Sequence, residues 1–515
     1  MEQYKQERGP KWTAQAPLCD RQIVTELSSD ISLPDYQPEI KRLLRVCVTA
    51  SPVDKYVGSG SAELSGSVDY SILYAGNDGE LYCANQTQEY HLTVPVELPA
   101  DFDPVEGILC DARSFSDSAV SRVTAPRKLS IKCRLRTRVR MYGMRSVEER
   151  ITGAFSGEPE RLMGEAECAR VFFGSGEPLA LADEILPENP QRDLRVIQAQ
   201  GCVFITEAVA GSGSVHCRGE ACLRLLCAQE GGEGCFALTR RIPFAQEVPT
   251  DGAEVNCDCC ADGVCTELRV TVEDGRILCD VVIRLRTQAH RNEILHYTKD
   301  IYTTGAECDA RYGDYAFPKA LRCSNGNFSL NTTLTAEECR LPSDCVVADM
   351  TASAFATALE AERGRLYLTG KCQCKLLLSE GGEKNARELE VPFRYEMERN
   401  GEDEILQWEA SVEVISCRAR ADGERLGIDA ELAVSLAAYG ESRFRAAEEV
   451  TVQGPAAGDV DVYRICYPAR EDTLWSVAKR YHLPIEALAE ENALPGAAAA
   501  DSRESLLGVK YLLLG

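Results

Sequence analysis

From Leu129 onward the apolar residues fall on every second position: Leu129, Ile131, Cys133, Leu135, Val139 and Met141 share one face, interrupted by Thr137. Lys132, Arg134, Arg136, Arg138 and Arg140 occupy the other. A period of two is that of a half-buried β-strand, because successive side chains point to opposite sides of the pleat. The alternation returns at Leu426, Ile428, Ala430, Leu432, Val434 and Leu436, and in RILCDVVIRL from Arg276, where Cys279 shares a face with Ile277 and Val281. Asn77-Asp78-Gly79, Gly231-Gly232 and Asp422-Gly423 separate such runs. Hairpin turns require positive φ, which glycine and a few polar residues accept. The pattern predicts antiparallel sheets made of hairpins.

Comparison of the chain with itself returns a period near 150 residues. DYSILYAGNDGE from Asp69, CLRLLCAQEGGE from Cys222 and CQCKLLLSEGGE from Cys372 share one plan of apolar strand, glycine-bearing turn and acid. Each follows a glycine, Gly66, Gly219 or Gly370. Val94-Pro95-Val96, Ile242-Pro243-Phe244 and Val391-Pro392-Phe393 recur at intervals of 148 and 149 residues. Leu135-Arg136-Thr137 and Leu285-Arg286-Thr287 lie 150 apart, and Leu436 falls 151 residues after Leu285. The first two copies are the closer pair: Leu33-Pro34 matches Leu186-Pro187, and GSGS at Gly58–Ser61 matches Gly211–Ser214. The expected fold is mainly β, with three tandem antiparallel β-sandwich-like repeats of about 150 residues at 20–150, 165–300 and 314–448. Looser composition at Thr152–Pro190 and Thr303–Asp314 separates them, and VQGPAAGD from Val452 leads to a last module at 460–515.

That module changes period. After an apolar strand, Val462–Tyr467, comes Asp472-Thr473 and then Leu474, Val477, Ala478 and Tyr481 at i, i+3, i+4 and i+7, the mark of a capped amphipathic helix. Pro484 opens a second helix with Ile485, Leu488 and Ala489 inward, Asn492 ends it, and Val509–Leu514 supplies a closing strand. The order is βααβ, a small α+β unit.

Composition narrows the function. With 44% hydrophobic and 27% charged residues, the 515-residue chain can bury a core in each unit without disulfide staples. Subtracting 81 acids from 56 bases leaves a net charge of −25, which disfavours a nucleic-acid role because such a chain repels a phosphate backbone. Nowhere do 18 apolar residues run together, and the opening MEQYKQERGP is polar, so the expectation is a cytoplasmic protein that does not span a membrane. The 24 cysteines then read mainly as small buried hydrophobes.

Candidate chemistry is sparse. GSGS resembles the start of a phosphate loop, but no Gly-Lys-Ser/Thr follows and the next segment alternates as a strand, so a turn is the reading. Cys257, Cys259, Cys260 and Cys265 (CDCCADGVC) are dense enough for zinc, yet they lack paired two-residue knuckles and the other units lack them, so no metal or other cofactor is expected. His91, His216, His290, His296 and His482 stand in no Cys/His or Ser/His signature, and a protein without catalytic residues is expected. The face with Arg134, Arg136 and Arg138 is either paired to acids or guarding an edge, or a site for an acidic partner. Trp475 either covers a helix core or anchors an interface.

Tyr463, the run Asp472-Thr473-Leu474-Trp475-Ser476-Val477-Ala478, Tyr481, Leu488 and Asn492 resemble a LysM domain. The resemblance implies a binding module, usually for N-acetylglucosamine polymers such as peptidoglycan, that grips its ligand with the loops before the first helix and after the second. Partner or glycan contacts are then expected among Glu471, Asp472, Thr473, Trp475 and Asn492. The usual Gly-Asp-Thr is Glu471-Asp472-Thr473 here, and the second loop is swollen to LPGAAAADSRESLL from Leu494. A loop without its glycine approaches a sugar ring less closely. Upstream, LPDYQPEIKRLLRV from Leu33, then a glycine and the Ser71-Ile72-Leu73-Tyr74 strand, is similar to SPOCS domains. Tandem SPOCS domains ending in LysM resemble the SipL-like family of clostridial coat-morphogenesis proteins. That resemblance implies a non-enzymatic scaffold in the mother-cell cytoplasm, bound through its LysM end to a spore coat morphogenetic ATPase of the SpoIVA type at the forespore surface. The alternative is a peptidoglycan-binding envelope protein.

Overall fold

The computed structural model describes residues 5–51, 53–58, 60–153, 159–187, 194–229, 234–304, 306–342, 345–399, 401–455, 464–494 and 500–514. The Gly231-Gly232 turn, Val462 and Tyr463 lie outside them. Unit one holds β1 (Lys5–Ser32), β2 (Ile40–Ala50), β3 (Asp54–Val57), β4 (Ser61–Gly76), β5 (Leu81–Pro95), β6 (Phe102–Ala125) and β7 (Lys128–Gly153). Unit two holds β8 (Pro159–Ser175), β9 (Leu179–Ile185), β10 (Leu194–Ala210), β11 (Ser214–Gln229), β12 (Cys235–Pro249), β13 (Asp258–Glu273) and β14 (Arg276–Thr303). Unit three holds β15 (Ala306–Thr335), a single helical turn α1 (Ala336–Cys339), β16 (Val346–Glu362), β17 (Arg365–Glu380), β18 (Glu383–Glu398), β19 (Gln407–Asp422) and β20 (Arg425–Pro455).

The three units share one connectivity. The last strand of each pairs on one side with the first and on the other with the penultimate: β1–β7–β6, β8–β14–β13 and β15–β20–β19. A second sheet in each is β2–β4–β5, β10–β11–β12 and β16–β17–β18, with β3 continuing β2 along β4. Period-two alternation drives the two sheets together: Leu129, Ile131, Cys133 and Leu135 of β7 meet Val68, Tyr70, Ile72 and Tyr74 of β4. Leu426 to Leu436 close unit three in the same way against Leu368, Cys372, Cys374 and Leu376. The repeated sandwich is therefore the fold, and the buried thiols among these residues fill its cores as small hydrophobes do.

The glycine that precedes each repeated motif has a packing role. Tyr90, Phe244 and Phe393 stand directly opposite Gly66, Gly219 and Gly370 in the ladders, each ring lying over a glycine. In unit one the Val94-Pro95-Val96 triplet sits further along its strand, with Val94 opposite Ala62, whereas Ile242 faces Ala221 and Val391 faces Cys372. Its even spacing in the sequence is thus not structural equivalence. All three prolines lie on strands with one ladder partner, where a missing N–H breaks no sheet. The ends of both GSGS motifs are hydrogen-bonded to each other: the Gly58 amide donates to the Ser61 carbonyl at 2.8 Å, and Gly211 to Ser214 likewise, with Ser59 outside the described residues.

The stretch Thr152–Pro190, read from composition as a junction, holds β8 and β9. The antiparallel pairs β1/β7, β8/β14 and β15/β20 run past their sandwiches and pack together, with Trp12 edge-on to Tyr315 at 4.8 Å and to Phe444 at 5.7 Å. β7 and β20 pair in parallel over Ile151 and Val450. Side-chain amides imitate a neighbouring strand at three crossings between units. Gln15 accepts from the Val171 N–H at 2.6 Å and donates to its carbonyl at 3.1 Å. Asn292 does the same with Ala320, and Asn325 with Ala261. Backbone polar groups buried between units need such partners.

Two ionic junctions tie the units at different levels. At the first, Arg45 of β2 pairs with Asp349 of β16 at 2.6 Å and donates to Gln198 of β10, while Arg224 of β11 reaches the same Asp349. At the second, Arg140 pairs with Asp111 at 3.0 Å, and Arg286 pairs with Asp111 and Asp262 at 2.7 and 2.8 Å. Glu409 of unit three joins Arg140 and Arg286 there. Burial alone would raise Asp111, but the Arg286 and Arg140 guanidinium groups outweigh it and hold its carboxyl well below the usual range.

Candidate functional site

The C-terminal module consists of β21 (Arg464–Cys466), α2 (Leu474–Tyr481), α3 (Ile485–Glu491), a 3₁₀ turn (Arg503–Leu506) and β22 (Leu512–Leu514). Thr473 caps α2: its hydroxyl accepts from the Ser476 amide at 3.1 Å, and the Ser476 hydroxyl accepts from the Thr473 amide at 2.9 Å. Asp472 is buried, accepts from the Ala469 amide and pairs with Arg480. That hydrogen bond to Arg480 is the main reason its carboxyl lies below the usual range. Leu474, Val477, Ala478, Ile485, Leu488 and Ala489 form the core under the β21–β22 ladder. Asn492 staples the end of α3 to β22, donating to the Leu488 and Leu513 carbonyls at 2.9 Å and accepting from the Leu513 amide at 2.7 Å.

Asp472, Thr473 and Asn492 therefore use their polar atoms inside the module, and Glu471 is exposed. Residues 495–499 of the swollen second loop lie outside the described residues. Trp475 takes the core role, and its outer edge meets its own chain. It is buried with the module core and lies edge-on to Tyr302 of unit two at 5.0 Å. Its indole N–H donates to Asp300 at 2.8 Å, and the other Asp300 oxygen accepts from Lys479 at 2.6 Å and from the Tyr312 hydroxyl. Burial would raise Asp300, but these donors, Lys479 foremost, keep its carboxyl below the usual range. The Tyr302 hydroxyl donates to the Leu483 carbonyl at 2.8 Å. The module is thus clamped onto the end of β14, and one face of α2 is taken up by its own chain.

Among the outward surfaces of the module is the far side of the two-stranded ladder. Ile465 stands opposite Leu513, and both are exposed, as are Tyr467 and Tyr511 beside them. Sequence reasoning passed over this group, although residues 465 and 467 and residues 511 and 513 already show the spacing of one strand face. Asp300 gave no such signal, because its partners lie far away in sequence.

The basic face of β7 turns toward its neighbours. Arg136 pairs with Asp117 at 2.8 Å, Arg138 with Asp20 at 3.0 Å and with the Trp408 carbonyl of unit three, and Arg134 reaches Asp117 at 3.6 Å while half exposed. Cys257 and Cys259 belong to the core of unit two, Cys260 points to the boundary with Tyr142 and Tyr439, and Cys265 packs against Gly201. Among the described residues no three His, Cys, Asp or Glu side chains gather as metal ligands. Burial pushes the Cys259 thiol up to about 12 and Cys265 to about 11, so both stay protonated near neutral pH.

A family model for the LysM domain matches residues 469–498, and the chain carries a C-terminal LysM domain there. No SPOCS family model matches. No curated protein and no solved structure matches the chain. LysM marks the module as a binding unit, with peptidoglycan among its possible ligands. No described helix is long and apolar enough to cross a membrane.

Proposed function

We propose that this chain is a non-enzymatic scaffold of spore coat assembly, whose three β units form a platform for a LysM adaptor that binds a coat morphogenetic ATPase of the SpoIVA type. Its place is the mother-cell cytoplasm, at the forespore surface. The observation that carries this reading is the clamp at Asp300: a module fixed to its platform presents the Ile465, Tyr467, Tyr511 and Leu513 face in one orientation. Exposed aromatic side chains beside aliphatic ones suit a protein interface. Many copies held on a polymerised partner give firm retention through effective concentration, even when each contact is weak. A fluorescent fusion in sporulating cells tests the reading: a shell around the forespore supports it, and diffuse signal contradicts it.

The LysM match itself favours a second reading, peptidoglycan binding. Retention on purified sacculi, competed by chitooligosaccharide, would decide for it. Glu471 in place of glycine and the inward use of Asp472, Thr473 and Asn492 argue for the protein partner.

A further inference from the structure

Between the two ionic junctions lies a central cavity of about 730 Å³ walled by all three units. Its volume is within the range of about 300–1,000 Å³ typical of ligand sites. The walls are largely the edge strands β2, β6, β10, β13, β16 and β19, each with a ladder partner on one side only. In units two and three, β10 packs closely on β13 and β16 on β19, which shuts the side of the sandwich; β2 and β6 of unit one meet over a smaller stretch. The seam of unit one is where Lys55, Phe115 and Ser118, all exposed, reach the surface from the cavity wall.

The charges of the wall are almost all spent. Arg113 is held by Asp262 at 3.1 Å and by Ser411, Arg286 by Asp111 and Asp262, and Arg138 by Asp20. Lys55 at the seam donates to the Cys110 carbonyl at 2.8 Å, and among the acids of the wall Glu413 is the exception. It follows Glu409 and Ser411 on the face of β19 turned away from the unit's own core, lines the cavity, and has no hydrogen bond or salt bridge among the described residues. Burial pushes its carboxyl up to about 7, only partly offset by Arg113. Phe115 and Val264 line the same space. An unpaired carboxyl, an aromatic ring and an aliphatic side chain are the complement of one kind of group: a long cation with an apolar stem.

We propose that the cavity receives a lysine or arginine side chain from an extended segment of another polypeptide, laid along the open β2/β6 seam with the cation directed to Glu413. Two free strand edges supply backbone hydrogen bonds to an extended chain, as in strand addition, and the acid selects the residue. The cavity is separate from the LysM module, so this site stands or falls independently of what that module binds.

The test is selection of a random hexapeptide library on the intact chain, followed by affinity measurement on Glu413→Gln. The expected result is enrichment of sequences with Lys or Arg among small and β-branched residues, with binding at least about tenfold weaker to E413Q. Gln is isosteric and neutral, so unfolding is not expected; a melting temperature no lower than that of the parent chain confirms this. As a second variant, Ser118→Trp at the exposed rim should weaken the same peptides by obstruction. No enrichment overturns the proposal. So do peptides without a cation, or peptides that bind E413Q as tightly as the parent chain.

Discussion

Glu409 stands directly opposite Ala437 in the β19–β20 ladder, whereas Asp111 stands opposite Arg140 in unit one and Asp262 opposite Arg286 in unit two. Unit three lacks its own arginine, and its acid is answered by the arginines of units one and two. Three acids, Asp111, Asp262 and Glu409, then balance Arg113, Arg140 and Arg286 at the junction.

Removing Glu409 therefore leaves three arginines facing two acids at a junction largely out of water. Glu409→Ala should destabilise the chain by about 3–5 kcal/mol, since breaking a buried pair leaves an uncompensated charge. Arg134→Ala, at a half-exposed pair, should cost less than about 1 kcal/mol. Denaturant unfolding of the two variants checks the contrast, and equal losses would deny that Glu409 joins the units.

The repeated glycines differ in what a methyl group would meet. At Gly219 an added Cβ would lie 2.1 Å from the Phe204 carbonyl oxygen, and at Gly370 2.3 Å from that of Phe355, both backbone atoms. At Gly66 the nearest atoms belong to the Tyr90 side chain, at 2.5 Å. A side chain can swing away where backbone cannot. Gly219→Ala and Gly370→Ala should each cost about 1–3 kcal/mol or more, and Gly66→Ala less, by thermal or denaturant unfolding.

The sandwiches were legible because each is written in period two. The run from Leu129 to Met141 needed no partner to show which face was buried. Relations between units carry no such mark: Arg140 reads as one more basic residue on an outward face until Glu409 of another unit is beside it. The same holds at the LysM end. The helix pattern marked Trp475 as apolar and inward, but only the fold brings it to Asp300. Spacing in sequence misled at Val94-Pro95-Val96, where the equivalent aromatic in unit one is Tyr90.

Asp300 should govern the mobility of the LysM module. Asp300→Ala leaves the Trp475 indole N–H and the Lys479 ammonium without their acceptor, at a cost of about 1.5–3 kcal/mol for hydrogen bonds to a charged group. Hydrogen exchange at the α2 amides should accelerate while the β units keep their protection. Unchanged exchange in α2 would mean that the module is held elsewhere.

A buried histidine and a half-buried glutamate work against each other as pH changes. His290 is buried with both ring nitrogens unpartnered among the described residues, and burial pushes its pKa down to about 4 from 6.5, so its contribution is complete above 6.5 and is lost as pH falls toward 4. Glu413 has the opposite sign: its pKa is raised from 4.5 to about 7, so it favours the fold below 4.5 and loses that contribution as pH rises through 7. Between 4.5 and 6.5 the two should largely offset. Glu413→Gln should unmask a melting temperature that falls as pH drops through this window, and His290→Leu one that rises. A flat profile in both variants would contradict the assignment.

The account stands most directly on co-sedimentation of the intact chain with two polymers in parallel, filaments of the purified coat ATPase and purified peptidoglycan sacculi. The chain should pellet with the filaments and stay in solution with the sacculi, and Tyr467→Ser combined with Tyr511→Ser should release it without lowering its melting temperature. Pelleting with sacculi alone, or with filaments regardless of those two tyrosines, would contradict it.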